Sequence, residues 1–130
     1  MGRLCMFDPD NFLVLAQKIM ESDYEEVEAV MRTAVSRAYY SSFLACKQFA
    51  ISQGEISLRQ YDREDYPRPG EVHSKVREAL KEVGFHDIAS FLLDLCSRRV
   101  VADYKVLDTV NKSDAKEAVE LSLKIKEQIQ

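Results

Sequence analysis

Between residues 23 and 52, apolar or small side chains recur every three or four positions: Val27, Met31, Ala34, Ala38, Ser41, Ala45 and Phe49. A stripe of that period lies along one side of an α-helix. It does not fit a strand, whose faces alternate at every second residue. The small residues in the stripe let another helix approach closely. Asp23 followed by Glu26 three residues later has the spacing of a capping box, and Gly54 stands where a helix would stop. One long helix over about 23–52 is the element around which the rest of the chain must be arranged.

The remaining segments have the same character. Asp8-Pro9 places a capping side chain before a proline at the first helical position. Phe12, Leu13, Leu15, Ala16, Ile19 and Met20 then supply an apolar face to about residue 21. A short third helix is predicted over about 71–83, closed by Gly84. A fourth runs over about 86–107, with Ile88, Phe91, Leu92, Leu95, Cys96 and Val100 on its core side. Asn111-Lys112-Ser113 is a turn. Ser113 is the expected cap of a fifth helix to about 128, buried through Ala115, Ala118, Val119, Leu121, Leu123 and Ile125. With four Gly and three Pro in 130 residues, few breakers divide the chain. Residues 54–70, rich in charges and turn formers, are read as one long loop. The expectation is a single all-α domain over 1–130, a four- to five-helix up-and-down bundle.

Charge and cysteines exclude some functions. The formal net charge of −4 argues against a nonspecific binder of duplex DNA. Cys5, Cys46 and Cys96 are odd in number and lack metal-ligand spacing, so they are read as reduced thiols of a cytoplasmic protein, and no metal or cofactor is expected. No leader or membrane-spanning run is expected either. The Met1-Gly2 start lacks the Ser or Thr at position 6 that myristoylation would want.

No catalytic signature of a hydrolase, zinc protease or phosphate-cradling glycine loop is present. The candidates are basic and aromatic. Arg37 and Tyr40 lie three apart in "SRAYYSSF" and share a helix face, with Tyr39 turned to another side. They would suit an anion, Arg as a bidentate fork and Tyr as a hydroxyl partner, although Arg37 also reads as a solvated charge. In "SRRVVADY", Arg98 lies four residues after Asp94 and Arg99 four before Asp103, so both arginines also read as simple intrahelical ion pairs. Arg59, Tyr61, Arg63, Tyr66 and Arg68 interleave base and ring in the loop, as single-stranded RNA binding would use them. Asp62, Glu64 and Asp65 offset that charge. His73 and His86 are the two histidines, and each also reads as a structural hydrogen-bonding partner at a helix start.

Together, "SRAYYSSFLACKQF", "EVHSKV", "RRVVADY" and "SDAKEAVELSLKIKEQI" resemble, in order and spacing, the HEPN superfamily (higher eukaryotes and prokaryotes nucleotide-binding domains). The likeness runs from about residue 8 to 128 and is nearest to small single-domain prokaryotic members. It implies a helical bundle that forms a homodimer. It also implies either a metal-independent ribonuclease or a nucleotide-binding partner of a nucleotidyltransferase-fold protein in a toxin–antitoxin module. The ribonuclease branch carries an Arg, four to six residues, then a His. Counting from Arg98, that place falls on Asp103, Tyr104 or Lys105; counting from Arg99, on Tyr104, Lys105 or Val106. The His is absent. Asp103 is a weak base when ion-paired, and Tyr104 is a poor proton donor or acceptor near neutrality. In family members paired with a nucleotidyltransferase, a Tyr just beyond that His is adenylylated, and Tyr104 stands close to that place.

Three readings follow. The first is a noncatalytic domain binding a nucleotide or RNA phosphate through Arg37, Tyr40, Arg98 and Arg99. The second is a divergent endoribonuclease drawing on Arg98, Arg99, Asp103, Tyr104 or His73. The third is a helical interaction module with no nucleotide site.

Overall fold

A computed structural model describes residues 7–54 and 71–129. Most of the predicted 54–70 loop, with Arg59, Tyr61, Arg63, Tyr66 and Arg68, lies outside the described residues. The chain folds as an all-α bundle. Its helices are α1 (Asp10–Met20), α2 (Val27–Ser52), α3 (Glu71–Glu82), α4 (His86–Tyr104) and α5 (Lys112–Ile129). Among the described residues there is no strand, and no helix is long and apolar enough to cross a membrane.

Helix α2 is the axis of the bundle and touches each of the other four helices. That is why its buried residues occupy far more than one stripe: Met31, Ala34, Val35, Ala38, Tyr39, Phe43, Cys46 and Ala50 are all in the core, with Ser36, Ser41, Ser42 and Lys47 buried among them. Leu13 and Ala16 of α1, Val76 and Leu80 of α3, Ile88, Leu92 and Leu95 of α4, and Ala118 and Ile125 of α5 close around it. Ser42 is partnered inside the bundle. Ser42 and Ser122 share a hydrogen bond of 2.7 Å between α2 and α5, and the Ser122 hydroxyl also donates to the Ala38 carbonyl at 3.1 Å.

Helix ends differ from the sequence expectation in instructive ways. Helix α2 starts at Val27, not Asp23, and no side-chain cap forms at its N-terminus. Tyr24 and Val27 are more than half exposed, so no buried contact supports an extra turn there. The cap of α5 is Asn111, not Ser113. Its Oδ1 accepts from the Asp114 N–H at 3.0 Å, while the Asp114 carboxylate accepts from the Asn111 N–H at 2.9 Å, a reciprocal box. Helix α3 ends as Gly84 predicts. Gly84 takes φ +92°, and the Phe85 and Gly84 N–H groups donate to the Leu80 and Lys81 carbonyls in a Schellman arrangement.

Helix α4 stops at Tyr104, about three residues early, because another helix caps it. The Arg32 guanidinium of α2 donates to the carbonyls of Val101 and Ala102, each at 3.0 Å, to Lys105 at 3.3 Å, and to Asp108. These include carbonyls that a helix C-terminus leaves without partners. Glu28 holds the same guanidinium at 2.9 Å and accepts from the Val110 N–H, and these bonds hold its carboxyl below the usual carboxylate range.

Candidate functional site

Arg98 and Arg99 are neighbours in sequence but about 100° apart around α4, so they serve different surfaces. Arg98 faces α5. Its guanidinium meets the Asp94 carboxylate at 2.9 Å and the Glu117 carboxylate at 2.9 Å. It also lines a shallow pocket with Val35, Val101, Thr109, Val110 and Asp114. Two carboxylates occupy this arginine.

Arg99 turns toward α2, where it is largely buried. One terminal nitrogen donates to the Tyr40 hydroxyl at 2.6 Å. Its Nε is buried and lies 3.1 Å from the Asp103 carboxylate, off the line a hydrogen bond requires, so this contact is an ion pair only. The guanidinium carbon stands 5.3 Å from the Tyr40 ring centre, 5.4 Å from Tyr104 and 5.9 Å from Tyr39, within cation–π range of all three. Arg37 lies against Tyr40 as well, at 5.1 Å, and against Phe12 of α1 at 4.9 Å. A polar chain joins the two arginines. Arg37 donates to the Ser36 hydroxyl at 3.2 Å, and Ser36 donates to the Asp103 carboxylate at 3.3 Å, beside Arg99.

His73, from the first turn of α3, reaches the same place through Tyr39. The Tyr39 hydroxyl and His73 Nδ1 are hydrogen-bonded. The His73 ring stacks on Phe43 with centroids 4.4 Å apart and lies 5.7 Å from the Tyr39 ring. Burial lowers the pKa of His73 below its ordinary value, and the charges of Arg99, Arg77 and Lys47 lower it further. The cations that act on this imidazole come from three helices: Lys47 from α2, Arg77 from α3 and Arg99 from α4. Burial, then the Cys96 thiol beside it, raises the Tyr39 hydroxyl pKa well above the ordinary tyrosine value, so Tyr39 is a neutral hydroxyl at any physiological pH.

The structure thus brings Arg37, Tyr40, Arg99, Asp103, Tyr104 and His73 to one junction of α2, α3 and α4, and places Arg98 outside it. Tyr39, Lys47 and Arg77 belong to the junction too and were not singled out from the sequence. A signal for them exists. Tyr39, Phe43 and Lys47 recur at four-residue intervals on α2, and Arg77 stands four after His73 on α3, so each set forms one ridge. What hid Lys47 is the rule that lysine belongs on the surface, whereas here its ammonium lies 5.8 Å from the Phe43 ring centre and the residue is buried.

Chemically, guanidinium and ammonium groups are donors only, and Asp103, the one carboxylate of the site among the described residues, is engaged by Arg99 and Ser36. The arrangement suits a ligand that accepts hydrogen bonds and carries negative charge. Among the described residues, no three His, Cys, Asp or Glu side chains cluster as a metal site would need. Comparison with family models, with curated proteins and with solved structures finds no match to this chain.

Proposed function

We propose that the chain is a small HEPN-type domain of the cytoplasm that binds the phosphate of a nucleotide or of single-stranded RNA at the Arg99 junction, without cleaving it. The observation that carries this reading is the placement of the Arg99 guanidinium among the Tyr39, Tyr40 and Tyr104 rings, with the charges of Arg77 and Lys47 also felt at the neighbouring His73. A bound phosphate oxygen would accept from these donors as charge-assisted hydrogen bonds. Arg37 stands at the rim through Tyr40. Arg98, held by Asp94 and Glu117, contributes little. The homodimer and a nucleotidyltransferase-fold partner belong to the reading through the sequence resemblance.

A second reading has one observation in its favour. An imidazole kept neutral beside an arginine is the pairing that proton transfer at a phosphodiester requires, so His73, arriving from α3, would replace the His missing after Arg99.

Binding of a fluorescent uridine oligonucleotide tests the first reading. Arg99→Ala is expected to weaken binding by at least about tenfold, since a charge-assisted contact contributes roughly 1.5–3 kcal/mol. Arg98→Ala is expected to change it by less than about twofold. Equal losses from the two variants, or no binding by the wild type, would refute the assignment. Cleavage of a labelled RNA in EDTA that is lost in both His73→Gln and Arg99→Ala would establish the second reading instead.

A further inference from the structure

We infer that His73 couples phosphate binding to proton uptake, so that a ligand enters the Arg99 junction together with one proton. The inference rests on the phosphate-site reading above and adds its regulation.

His73 Nδ1 is fixed by the Tyr39 hydroxyl, and one ring face is covered by Phe43 at 4.4 Å. The imidazole has no carboxylate partner among the described residues. The charged and titratable groups around it come from each helix packed there. Helix α2 supplies Tyr39 and Lys47. Helix α4 supplies Arg99, with Asp103 behind it, and Cys96 against the Tyr39 hydroxyl. Helix α3 itself supplies Arg77. Among the described residues, positive neighbours thus outnumber negative ones around the ring, and they join burial in keeping it neutral. An arriving phosphate reverses the balance, because its charge offsets those of Arg99, Arg77 and Lys47. The proton then becomes favourable on His73, and the imidazolium adds one more cation to hold the anion. By linkage, a ligand that raises the affinity for a proton is itself bound more tightly when protons are plentiful.

The test uses a 2′-O-methyl uridine oligonucleotide, whose charge is constant between about pH 5.5 and about pH 8 and which a ribonuclease of this type would not consume. Wild-type protein is expected to bind it several-fold more tightly at the lower pH, below the limit of about tenfold that a one-unit rise in the His73 pKa on binding would set. The ring-proton titration of His73 should move to higher pH in the complex. His73→Gln, which retains a polar partner for Tyr39, is expected to bring the affinity ratio between the two pH values close to one, and His86→Gln is expected to leave it as in the wild type. A flat wild-type profile, an unmoved His73 titration or a slope that survives in His73→Gln would overturn the inference while leaving the phosphate site standing. If wild type and Arg99→Ala fail alike to bind at both pH values, the phosphate site itself is refuted and the inference falls with it.

Discussion

The Arg99 guanidinium donates to the Tyr40 hydroxyl at 2.6 Å, tying the last turns of α4 to the middle of α2. This bond also aims the arginine, because the Tyr40 ring lies against both Arg99 and Arg37. Tyr40→Phe keeps both ring contacts and removes only the hydroxyl. It is expected to lower unfolding free energy by about 1 kcal/mol and to weaken oligonucleotide binding several-fold through loss of preorganisation. Urea titration and fluorescence anisotropy read the two effects separately. A variant with wild-type stability and affinity would show that the bond orients nothing.

Arg32 joins α2 to the end of α4 and to the connection that follows it. Arg32→Ala takes one donor from each of four carbonyls, of which Val101 and Lys105 keep a backbone N–H, and leaves Glu28 without its cation. The expected loss is about 3 kcal/mol in urea unfolding, more than a single surface contact contributes. Hydrogen exchange should quicken first over residues 101–110. A loss below about 0.5 kcal/mol would mean that water satisfies these carbonyls equally well.

Ser42 and Ser122 form a buried polar link between α2 and α5. Ser122→Ala leaves the Ser42 hydroxyl without this partner and should cost about 1–2 kcal/mol. Removing both hydroxyls avoids that stranded group, so Ser42→Ala/Ser122→Ala should cost less than the sum of the single variants by at least about 0.5 kcal/mol. Strict additivity in thermal or urea unfolding would contradict the pairing.

Acid stability follows from His73. Its pKa is lowered in the folded protein by burial and by Arg99, Arg77 and Lys47, so the unfolded chain takes up a proton at higher pH than the folded one. Stability from this group is therefore complete above the ordinary histidine value of about 6.5 and declines as pH falls from there through the folded value. In the absence of ligand, wild-type unfolding free energy should drop on acidification below about pH 6.5, and His73→Gln should show a shallower drop. Equal slopes in the two proteins would remove His73 from the acid response.

Much of the fold was legible because helices are written locally. The stripe from Val27 to Phe49, the Gly84 stop and the apolar face of α5 each depend on residues within a few turns of one another. The start of α2 was misplaced because Asp23 and Glu26 have capping spacing, yet nothing buried supports that extra turn. The early end of α4 was unreadable for the opposite reason: its cap is Arg32, far away in the chain.

The candidate site divides along the same line. By itself the sequence determined that Arg37 and Tyr40 share a face, that Arg99 and Asp103 pair along α4, and that no His follows either arginine at the ribonuclease spacing. Only the tertiary structure decided which of Arg98 and Arg99 turns toward α2, and that the Tyr39 ring stands between Arg99 and His73 there. Helical periodicity fixes angles within one helix, whereas the choice between two adjacent arginines depends on which neighbouring helix offers carboxylates and which offers aromatic rings. For Arg98 that neighbour is α5, with Glu117; for Arg99 it is α2, with Tyr39 and Tyr40.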